Sequence, residues 1–461
     1  MLHRFECGSV YLVLDVNSGA LHRVSRVAWE ILASHPWEEG AAVARYGARF
    51  GADAVRAALE EIAGAVRRGN LLAPPPPEVR PNGGPSYLRA LCLHLAHACN
   101  MRCGYCFAGQ GQYGGGPALM SRDVALRAID FLLCHSGPQR RLDVDFFGGE
   151  PLLNLEVLKE TVAYGLSRAQ ECGKKISFTV TTNGLLLDDR TIDFLNQQEI
   201  TVIASLDGRP AVHDRWRRLA DGRASYERVL PGIRALIRSR AGRNYYVRGT
   251  YTRQNLDFAA DVRHLAGLGI DRVSLEPVVA PPTVPYGLRA SDLPAIREQY
   301  LAVAEFCYRR AREGRPFSFF HFELDILRGP CLKKRVSGCG AGHAYLAVAP
   351  DGSLYPCHQF VGQPAFRLGS VWADNFSLPP LGKQFRQLTI YEKAPCRECW
   401  AKFLCSGGCH ANNYALGGGL DRPWPLGCAL TRIRLEAALY LQARLAELRY
   451  PPGEEPPQVS S

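Results

Sequence analysis

The sequence predicts an α/β protein whose central part is a parallel sheet of six strands, each followed by a helix. Three observations support this fold class: strand-like and helical segments alternate between residues 86 and 315, a Pro/Gly-rich segment precedes them, and a cysteine-rich region without regular alternation follows them. Alternating strands and helices are typical of parallel sheets, either an open barrel or a doubly wound sheet.

Residues 1–75 are predicted to form a small α+β unit. The segment SVYLVLDVNSGALHRV indicates two strands joined by an Asn/Ser/Gly turn, while SRVAWEILA and ADAVRAALEEIAGAVRRGNLL have helical periodicity. This combination suits a winged-helix-like module. A Pro/Gly-rich linker over residues 76–86 predicts a stiff boundary to the next unit.

The central unit covers residues 87–320. Its strands are predicted at YLRALCLHL, LDVDFF, ISFTVTT, TVIASL, YYVRGTYT and DRVSLEP. Ligand sites of parallel sheets lie at the carboxyl ends of the strands, so we expect the functional side chains at that edge. Short loops dominate residues 331–430, an amphipathic helix is predicted over 431–449, and 450–461 are expected to be a disordered tail.

Composition excludes several classes of protein. The apolar fraction of 47% and the charged fraction of 21% are those of a globular protein, and no apolar run approaches the roughly 20 residues of a membrane span. The first residues lack a signal peptide, so we expect a cytoplasmic protein. The net charge of +11 suits an acidic partner, but the basic residues are scattered and do not indicate nucleic-acid binding.

Cysteine is unusually abundant, with 16 residues in the chain. Disulfides do not persist in a reducing compartment, so clustered cysteines there more often bind metal or act in redox chemistry. Eleven of the 16 fall in two groups, within residues 99–106 and 331–428. The others, which we expect to be buried free thiols, are Cys7, Cys92, Cys134, Cys172 and Cys307.

The first group, Cys99, Cys103 and Cys106, directly follows the first strand of the central unit. A zinc site would need a fourth ligand, which His94 or His97 could supply. A [4Fe–4S] cluster held by three thiolates instead leaves one iron open. The spacing, with Tyr105 before the third cysteine, resembles the signature of radical S-adenosylmethionine (SAM) enzymes.

Four further motifs follow strands in the order of that family. They are FFGGEP (146–151), TTNG (181–184), SLDG (205–208) and VHDRWR (212–217). The resemblance spans about residues 88–320 and implies a partial (β/α)6 radical SAM barrel. It also implies that SAM binds the open iron and yields a 5′-deoxyadenosyl radical. The residues it implies for SAM binding are Tyr105, Gly148, Gly149, Glu150, Asn183, Ser205, Asp207 and Arg217.

The second group of cysteines resembles the SPASM domain of peptide-modifying radical SAM enzymes. The resemblance implies a first auxiliary cluster on Cys339, Cys357 and Cys409, and a second on Cys396, Cys399, Cys405 and Cys428. Cys331 is either the fourth ligand of the first cluster or leaves an iron open to a substrate thiolate. Three [4Fe–4S] clusters are therefore expected, with a pair of zinc knuckles as the alternative.

The segment GPCLKKR…YPCHQFVG resembles the maturases of six-cysteine ranthipeptides (SCIFF peptides), which join a cysteine sulfur to a carbon. YLVLDVNSGALHRVSRVAWEIL resembles the RiPP recognition element, which binds the leader of a precursor peptide as an added strand. These resemblances imply a thioether-forming peptide maturase that uses an electron donor such as ferredoxin or flavodoxin. The alternatives are sulfatase-type oxidation, epimerisation, a non-catalytic iron–sulfur electron carrier and a peptide-binding adaptor.

The general base stays open at the level of sequence. Sulfatase-maturing relatives carry an Asp at the position of His358, and a neutral imidazole differs from a carboxylate in basicity. His358 is therefore a candidate base, as are Asp207, Glu276 and Tyr251, and His358 is equally compatible with a packing role.

Overall fold

The computed structural model describes residues 1–34, 38–80, 86–324, 326 and 336–449. The N-terminal part is a three-stranded antiparallel sheet covered by three helices. The elements are β1 (Leu2–Cys7), β2 (Val10–Asp15), β3 (Leu21–Val24), α1 (Arg26–Ile31), α2 (Glu39–Phe50) and α3 (Ala52–Arg67). The predicted hairpin is β2–β3, whereas β1 and α2 are elements that the sequence analysis missed.

Strand β2 attaches this part to the rest of the chain. Successive side chains of a strand point to opposite faces. Leu12 and Leu14 accordingly belong to the main hydrophobic core, while Val13 between them packs with Val27 and Ile31 of the helices. One face of the small sheet is thus buried against its own helices and the other against the body of the protein.

Within the described residues the central sheet has ten strands, in the order β10–β9–β8–β7–β6–β5–β4–β11–β12–β13. Its first seven strands in the chain are β4 (Ala90–Ala96), β5 (Arg141–Gly148), β6 (Lys175–Thr182), β7 (Thr201–Ser205), β8 (Tyr245–Tyr251), β9 (Arg272–Pro277) and β10 (Ser318–Phe319). The six predicted strands are confirmed as β4 to β9, all parallel. They neighbour one another in chain order without the reversal of a doubly wound sheet, so the barrel-type alternative is the correct one.

Helices connect these strands. They are α4 (Arg122–His135), α5 (Leu155–Glu171), α6 (Asp189–Gln197), α7 (Pro210–Trp216), α8 (Tyr226–Ser239), α9 (Phe258–Gly267) and α10 (Leu293–Arg312). Ser121 accepts a hydrogen bond from the Val124 N–H (3.3 Å) and Asp188 from the Thr191 N–H (2.8 Å). Each such N-cap stabilises a helix by about 1 kcal/mol.

Alternating burial along β6, β7 and β8 gives the sheet two different faces. Val180, Val202 and Val247 lie in the main core. Residues of opposite parity, such as Ser205 and Arg248, face away from that core and are paired in register. The polar face of the sheet is the one that lines the site described below.

The cysteine-rich part extends the same sheet. Strand β11 (Tyr345–Val348) pairs in parallel with β4, and β12 (Ser353–Tyr355) and β13 (Gly369–Ser370) continue it in antiparallel fashion. The remaining helices are α11 (Pro380–Gln387), α12 (Ala394–Arg397), α13 (Lys402–Cys405), α14 (His410–Asn412) and α15 (Pro425–Arg449). The last helix begins six residues earlier than predicted.

Several sequence predictions fall outside the described residues, namely Cys331, the 450–461 tail and residues 81–85 of the linker. Of the isolated cysteines, Cys7, Cys92 and Cys307 are buried as expected. Cys134 and Cys172 are exposed, so the expectation of burial was wrong for them. Both lie at the C-terminal ends of helices, where the buried face no longer continues. Across the described ranges, we find no helix with the length and apolar character of a membrane span.

Candidate active site

The loop with Cys99, Cys103 and Cys106 begins just after β4 and is held by backbone hydrogen bonds. The Gly104 N–H donates to the Trp216 carbonyl and the Arg102 N–H to the Arg218 carbonyl, both at 2.8 Å. The three half-buried thiols line a cavity of about 830 Å³. Burial raises the pKa of Cys99 and raises that of Cys103 to about 12. These thiols need a bound cation to become thiolates.

The two glycines of FFGGEP pack against this loop. The Gly149 N–H donates to the Ala96 carbonyl at 2.7 Å and the Glu150 N–H to the Ala98 carbonyl at 2.9 Å. A Cβ on Gly149 would lie 2.2 Å from the Ala98 oxygen, and one on Gly148 2.3 Å from the Ala96 oxygen. Both glycines also line the cavity. Glycine is therefore required at these positions by the loop itself.

Glu150 is fully buried and its carboxylate is used within the chain. It accepts hydrogen bonds from Thr182 Oγ1 (2.8 Å), the Asn183 N–H (2.7 Å) and the Leu152 N–H (3.1 Å). Burial raises its pKa to about 7, although these hydrogen bonds act in the opposite direction. Gly149 lines the cavity, whereas Glu150 is not among the lining residues. Its side chain joins the end of β5 to the end of β6.

Asn183 and Ser205 line the cavity at the ends of β6 and β7. Asn183 Nδ2 donates to Asn100 Oδ1 at 2.7 Å and lies 3.7 Å from Cys99 Sγ. The TTNG motif therefore touches the first thiol of the loop directly.

Asp207 is buried behind two cavity-lining side chains. Its carboxylate accepts hydrogen bonds from the Tyr105 hydroxyl, from Arg217 Nε (3.0 Å) and from the Thr250 N–H (3.0 Å). Tyr105 and Arg217 line the cavity, but Asp207 does not. Asp207 thus fixes the positions of two polar groups that face the cavity.

A charged cluster on β8, β9 and α15 lines another part of the wall. Glu276 lies 3.4 Å from Arg248 Nη2, 3.1 Å from His321 Nε2 and 3.9 Å from Arg434 Nη1. Burial raises the pKa of Glu276, but the hydrogen bond with His321 and the nearby cations outweigh it and lower the pKa to about 2. The sequence analysis missed Arg248 and Arg434, although the alternation of β8 places Arg248 in phase with Thr250.

The structure separates the four candidate bases. His358 and Glu276 line the cavity, whereas Asp207 and Tyr251 are not lining residues. Burial, and then the charge of Arg248, lowers the pKa of His358 to about 4, so the ring is neutral at pH 7. Its centroid lies 4.9 Å from that of Phe147 and 5.9 Å from that of Phe107.

The seven described C-terminal cysteines form two groups of neighbouring thiols. The pKa of Cys357 is raised to about 12, mainly by burial, and the neighbouring thiols of Cys409 and Cys339 act in the same direction. Cys396 has a pKa raised to about 11, mainly by burial, and its thiol neighbours are Cys405, Cys428 and Cys399. The groups have the same members as the two ligand sets implied by the resemblance. Cys405, Cys409 and Cys428 line the same cavity as Cys99, Cys103 and Cys106.

The spacing of these thiols bears on the zinc alternatives. In the described part of the chain, no three His, Cys, Asp or Glu side chains are grouped closely enough to hold one metal ion. A zinc ion needs all its ligands around a single centre, whereas an iron–sulfur cluster distributes its thiolates over several irons. The ligand sets implied by the resemblance stay a prediction, with zinc as the alternative.

Residues 93–275 match the model of the Radical SAM superfamily, whose members bind SAM and a [4Fe–4S] cluster. This part of the chain, with its parallel sheet and three-cysteine loop, is similar to that family. The serine-type anaerobic sulfatase-maturating enzyme of Klebsiella aerogenes is 26% identical over 347 residues, covering 70% of this chain and 80% of the relative.

Solved structures show the same fold. Native anSMEcpe with bound AdoMet and Cp18Cys peptide has a TM-score of 0.65 at 20% identity, covering 78% of this chain and 99% of that chain. Streptococcus suis SuiB bound to precursor peptide SuiA has a TM-score of 0.53 at 14% identity, covering 92% and 100%. The likeness to SuiB covers more of this chain than the likeness to anSMEcpe.

Proposed function

We propose that this protein is a radical SAM peptide maturase that joins cysteine sulfur to carbon in a cysteine-rich precursor peptide. One observation carries the proposal: a single cavity is lined by the three-cysteine loop and by cysteines of both C-terminal groups. A substrate in that cavity would meet all three sets of thiols. The peptide ligands of anSMEcpe and SuiB support a peptide substrate.

The residues at the three-cysteine loop fit SAM and a cluster. Three soft donors on one loop suit a cluster with one open iron. Arg217 and Asn183 present polar donors to the same cavity, and Gly148 and Gly149 bring backbone to its wall. When bound, SAM and the cluster would supply hydrogen-atom abstraction, chemistry that protein side chains lack.

The chain positions these groups through residues behind the cavity wall. Glu150 fixes Asn183 by accepting its backbone N–H, and Asp207 fixes Tyr105 and Arg217. Such supporting hydrogen bonds hold ligand-binding groups in place and exclude alternative rotamers. We assign Glu150 and Asp207 to positioning, and Tyr105, Arg217, Asn183 and Ser205 to SAM contact.

The C-terminal thiols would hold two auxiliary clusters, three clusters in all. Cys339, Cys357 and Cys409 would hold the first, with Cys331 as its fourth ligand or with an open iron. Cys396, Cys399, Cys405 and Cys428 would hold the second. Because burial raises the pKa of Cys357 and that of Cys396, these two thiols need a cation to become thiolates.

Thioether formation removes two hydrogens, one from the cysteine S–H and one from the acceptor C–H. The C–H hydrogen leaves as an atom, and the thiol hydrogen leaves as a proton together with one electron. His358 is neutral and faces the cavity, so it is the side chain best placed to accept the proton. We assign the acceptance of this electron to the auxiliary clusters. A ferredoxin or flavodoxin would supply the electron for the initial reduction of the cluster at the three-cysteine loop.

The N-terminal part would bind the leader of the precursor. Strand β3 pairs only with β2 in the described sheet, so its outer edge offers backbone groups for one more strand. The winged-helix-like fold of this part and the +11 charge of the chain suit an acidic leader. We infer that residues 1–75 are a RiPP recognition element.

The second candidate function is oxidation of a protein side chain, favoured by the similarity to the Klebsiella enzyme. His358 in place of the Asp of sulfatase-maturing enzymes weighs against it. Epimerisation is a further alternative and changes no mass.

The test is anaerobic reaction of the reconstituted protein with a co-expressed cysteine-rich precursor and SAM, followed by mass spectrometry. We expect a loss of two hydrogens per crosslink and one cysteine per crosslink that no longer reacts with iodoacetamide. An unchanged mass, or a two-hydrogen loss with every thiol still alkylated, would reject thioether formation. A variant with Cys99, Cys103 and Cys106 replaced by Ala is the control.

A further inference from the structure

Lys393 is a fully buried cation located between the two C-terminal groups of thiols. Its side chain has no solvent exposure, and its Nζ donates to the Gly407 carbonyl at 2.9 Å. Gly407 lies on the short segment from Cys405, of one group, to Cys409, of the other. The Cys396 N–H donates to the Lys393 carbonyl at 2.8 Å, which ties the same residue to a third cysteine.

The loop is shaped around this ammonium group. Gly407 has a φ of +82°, and a Cβ there would lie 3.0 Å from Lys393 Nζ and 3.1 Å from its Cδ. Asn413 Nδ2 donates to the same Gly407 carbonyl at 3.2 Å, which fixes the acceptor. Glycine therefore provides both the backbone conformation and the space that the lysine needs.

The ionisable side chains around Lys393 are those of cysteines. In the part of the chain that the structure describes, no ion pair joins Lys393 to a carboxylate. Burial lowers the pKa of Lys393, and the groups that act in the opposite direction are the thiols of Cys396, Cys405, Cys409 and Cys339, which belong to both groups. A buried ammonium without a counter-charge is costly. Thiolates bound to iron would supply that counter-charge from both sides.

We propose that Lys393 is a fixed positive charge that raises the reduction potentials of both auxiliary clusters. The inference rests on the clusters of the proposed function. Net charge and hydrogen bonding around a cluster set its potential, and a nearby cation favours the reduced, more negative state. Lys393 would thus make both clusters better acceptors of the electron that carbon–sulfur bond formation releases.

The test is a redox titration followed by electron paramagnetic resonance, without peptide or SAM. The background carries Cys99→Ala, Cys103→Ala and Cys106→Ala, so that only the auxiliary signals are present. Lys393→Met removes the charge with a similar shape, Lys393→Arg keeps the charge, and Lys402→Met is the matched control. Lys402 Nζ also donates to a backbone carbonyl, that of Arg397, but at an exposed site.

We expect Lys393→Met to shift both midpoint potentials to more negative values, with Lys393→Arg and Lys402→Met close to the parent. Unchanged potentials at full iron content, a shift in only one cluster, or an equal shift in Lys402→Met would overturn the proposal. If Lys393→Met loses iron, Lys393→Gln repeats the comparison, and loss of iron from both neutral variants would make Lys393 a structural residue instead. A parent protein without about eight irons would contradict the auxiliary clusters themselves.

Discussion

The His3 ring of β1 stacks on the Trp400 ring, with centroids 3.7 Å apart and planes inclined by 3°. Trp400 directly follows Cys399, so the N-terminal sheet touches the cysteine-rich segment at one of its thiols. His3 Nε2 also lies 3.1 Å from Glu436 Oε1, and Glu436 pairs with Arg297 at 2.7 Å. The N-terminal part, the proposed leader-binding part, is therefore in contact with a proposed cluster loop.

This stack predicts a measurable coupling between the two parts. Aromatic pairs contribute about 0.5–1.5 kcal/mol beyond area burial. We expect His3→Ala and Trp400→Ala each to lower the free energy of unfolding, and the double variant to lose less than the sum. His22→Ala is the control, because in the described contacts the His22 ring bonds to the Asn70 carbonyl at an exposed site. If the two single losses in the free energy of unfolding, measured by urea titration, add up to the loss of the double variant, the stack contributes no interaction energy of its own.

Metal analysis tests the three ligand sets. We expect about twelve irons per chain after anaerobic reconstitution, and about four fewer in each of Cys99→Ala, Cys357→Ala and Cys396→Ala. Cys172→Ala, at an exposed isolated thiol, should keep all of them. Iron and sulfide counts on Cys331→Ala then decide its role: loss of about four irons indicates a ligand. An iron content of only about four per chain in the parent would contradict the presence of the auxiliary clusters.

Glu150 predicts a specific pH dependence of stability. Its folded-state pKa of about 7 lies above the ordinary value of 4.5, because burial favours the neutral form. The contribution of the Glu150 carboxyl group to the free energy of unfolding is fully present below pH 4.5. It declines as the pH rises and is lost above pH 7. Between pH 5.5 and pH 8 the free energy of unfolding of the parent should fall by about 2 kcal/mol more than that of Glu150→Gln.

Unfolding titrations of both proteins at the two pH values measure this difference. Glu156→Gln, at an exposed carboxylate, should follow the parent. Parallel pH profiles for the parent and Glu150→Gln would mean that Glu150 does not titrate in this range.

Asp207→Asn should weaken SAM binding about tenfold, which corresponds to about 1.4 kcal/mol. The amide cannot accept from Tyr105, Arg217 and Thr250 with the same charge, so both cavity-lining side chains lose their support. Equilibrium dialysis with labelled SAM measures the change. Asp214→Asn, whose carboxylate accepts only from the Ser225 and Tyr226 N–H groups in the described contacts, is the control. Equal affinities for Asp207→Asn and the parent would contradict the positioning role.

His358→Phe should separate SAM cleavage from crosslinking. Phenylalanine preserves the contacts with Phe107 and Phe147 but cannot take a proton. General base catalysis contributes roughly 10²–10⁴-fold, so crosslinked product should fall at least about 100-fold. Formation of 5′-deoxyadenosine should stay within about twofold of the parent, as quantified by chromatography. Normal product yield would transfer the assignment to Glu276, the other candidate base in the cavity wall.

Sequence patterns were sufficient for elements that carry their own local signal. Strands β5 to β8 are rich in β-branched and aromatic residues, and β4 is a nearly continuous apolar run. These strands alternate with helices, and their order follows from chirality and short connections. Strand β1 was missed because LHRFEC mixes charged and apolar residues. The β11–β4 pairing joins residues about 255 positions apart, as in Tyr345↔Ala90, and no local pattern encodes it.

At the site, spacing identified the cysteines but not the direction of the side chains. Glu150 and Asp207 lie at the predicted strand ends. Their carboxylates, however, accept hydrogen bonds from other residues of the chain and do not line the cavity. Arg434 was missed because it comes from the last helix, which no motif connects to the sheet. Such partners depend on tertiary packing, which a single sequence does not reveal.

The pairing of β11 with β4 has a consequence for how this protein can be changed. Tyr345–Val348 and Ala90–Leu93 share one ladder of hydrogen bonds, so the part with the three-cysteine loop and the cysteine-rich part cannot be exchanged independently of each other. A chimera that exchanges only the C-terminal half between relatives would replace one side of that ladder while keeping the other. Recombination among relatives should therefore conserve the two strands as a unit, and specificity should evolve through cavity-wall residues and the proposed leader-binding part.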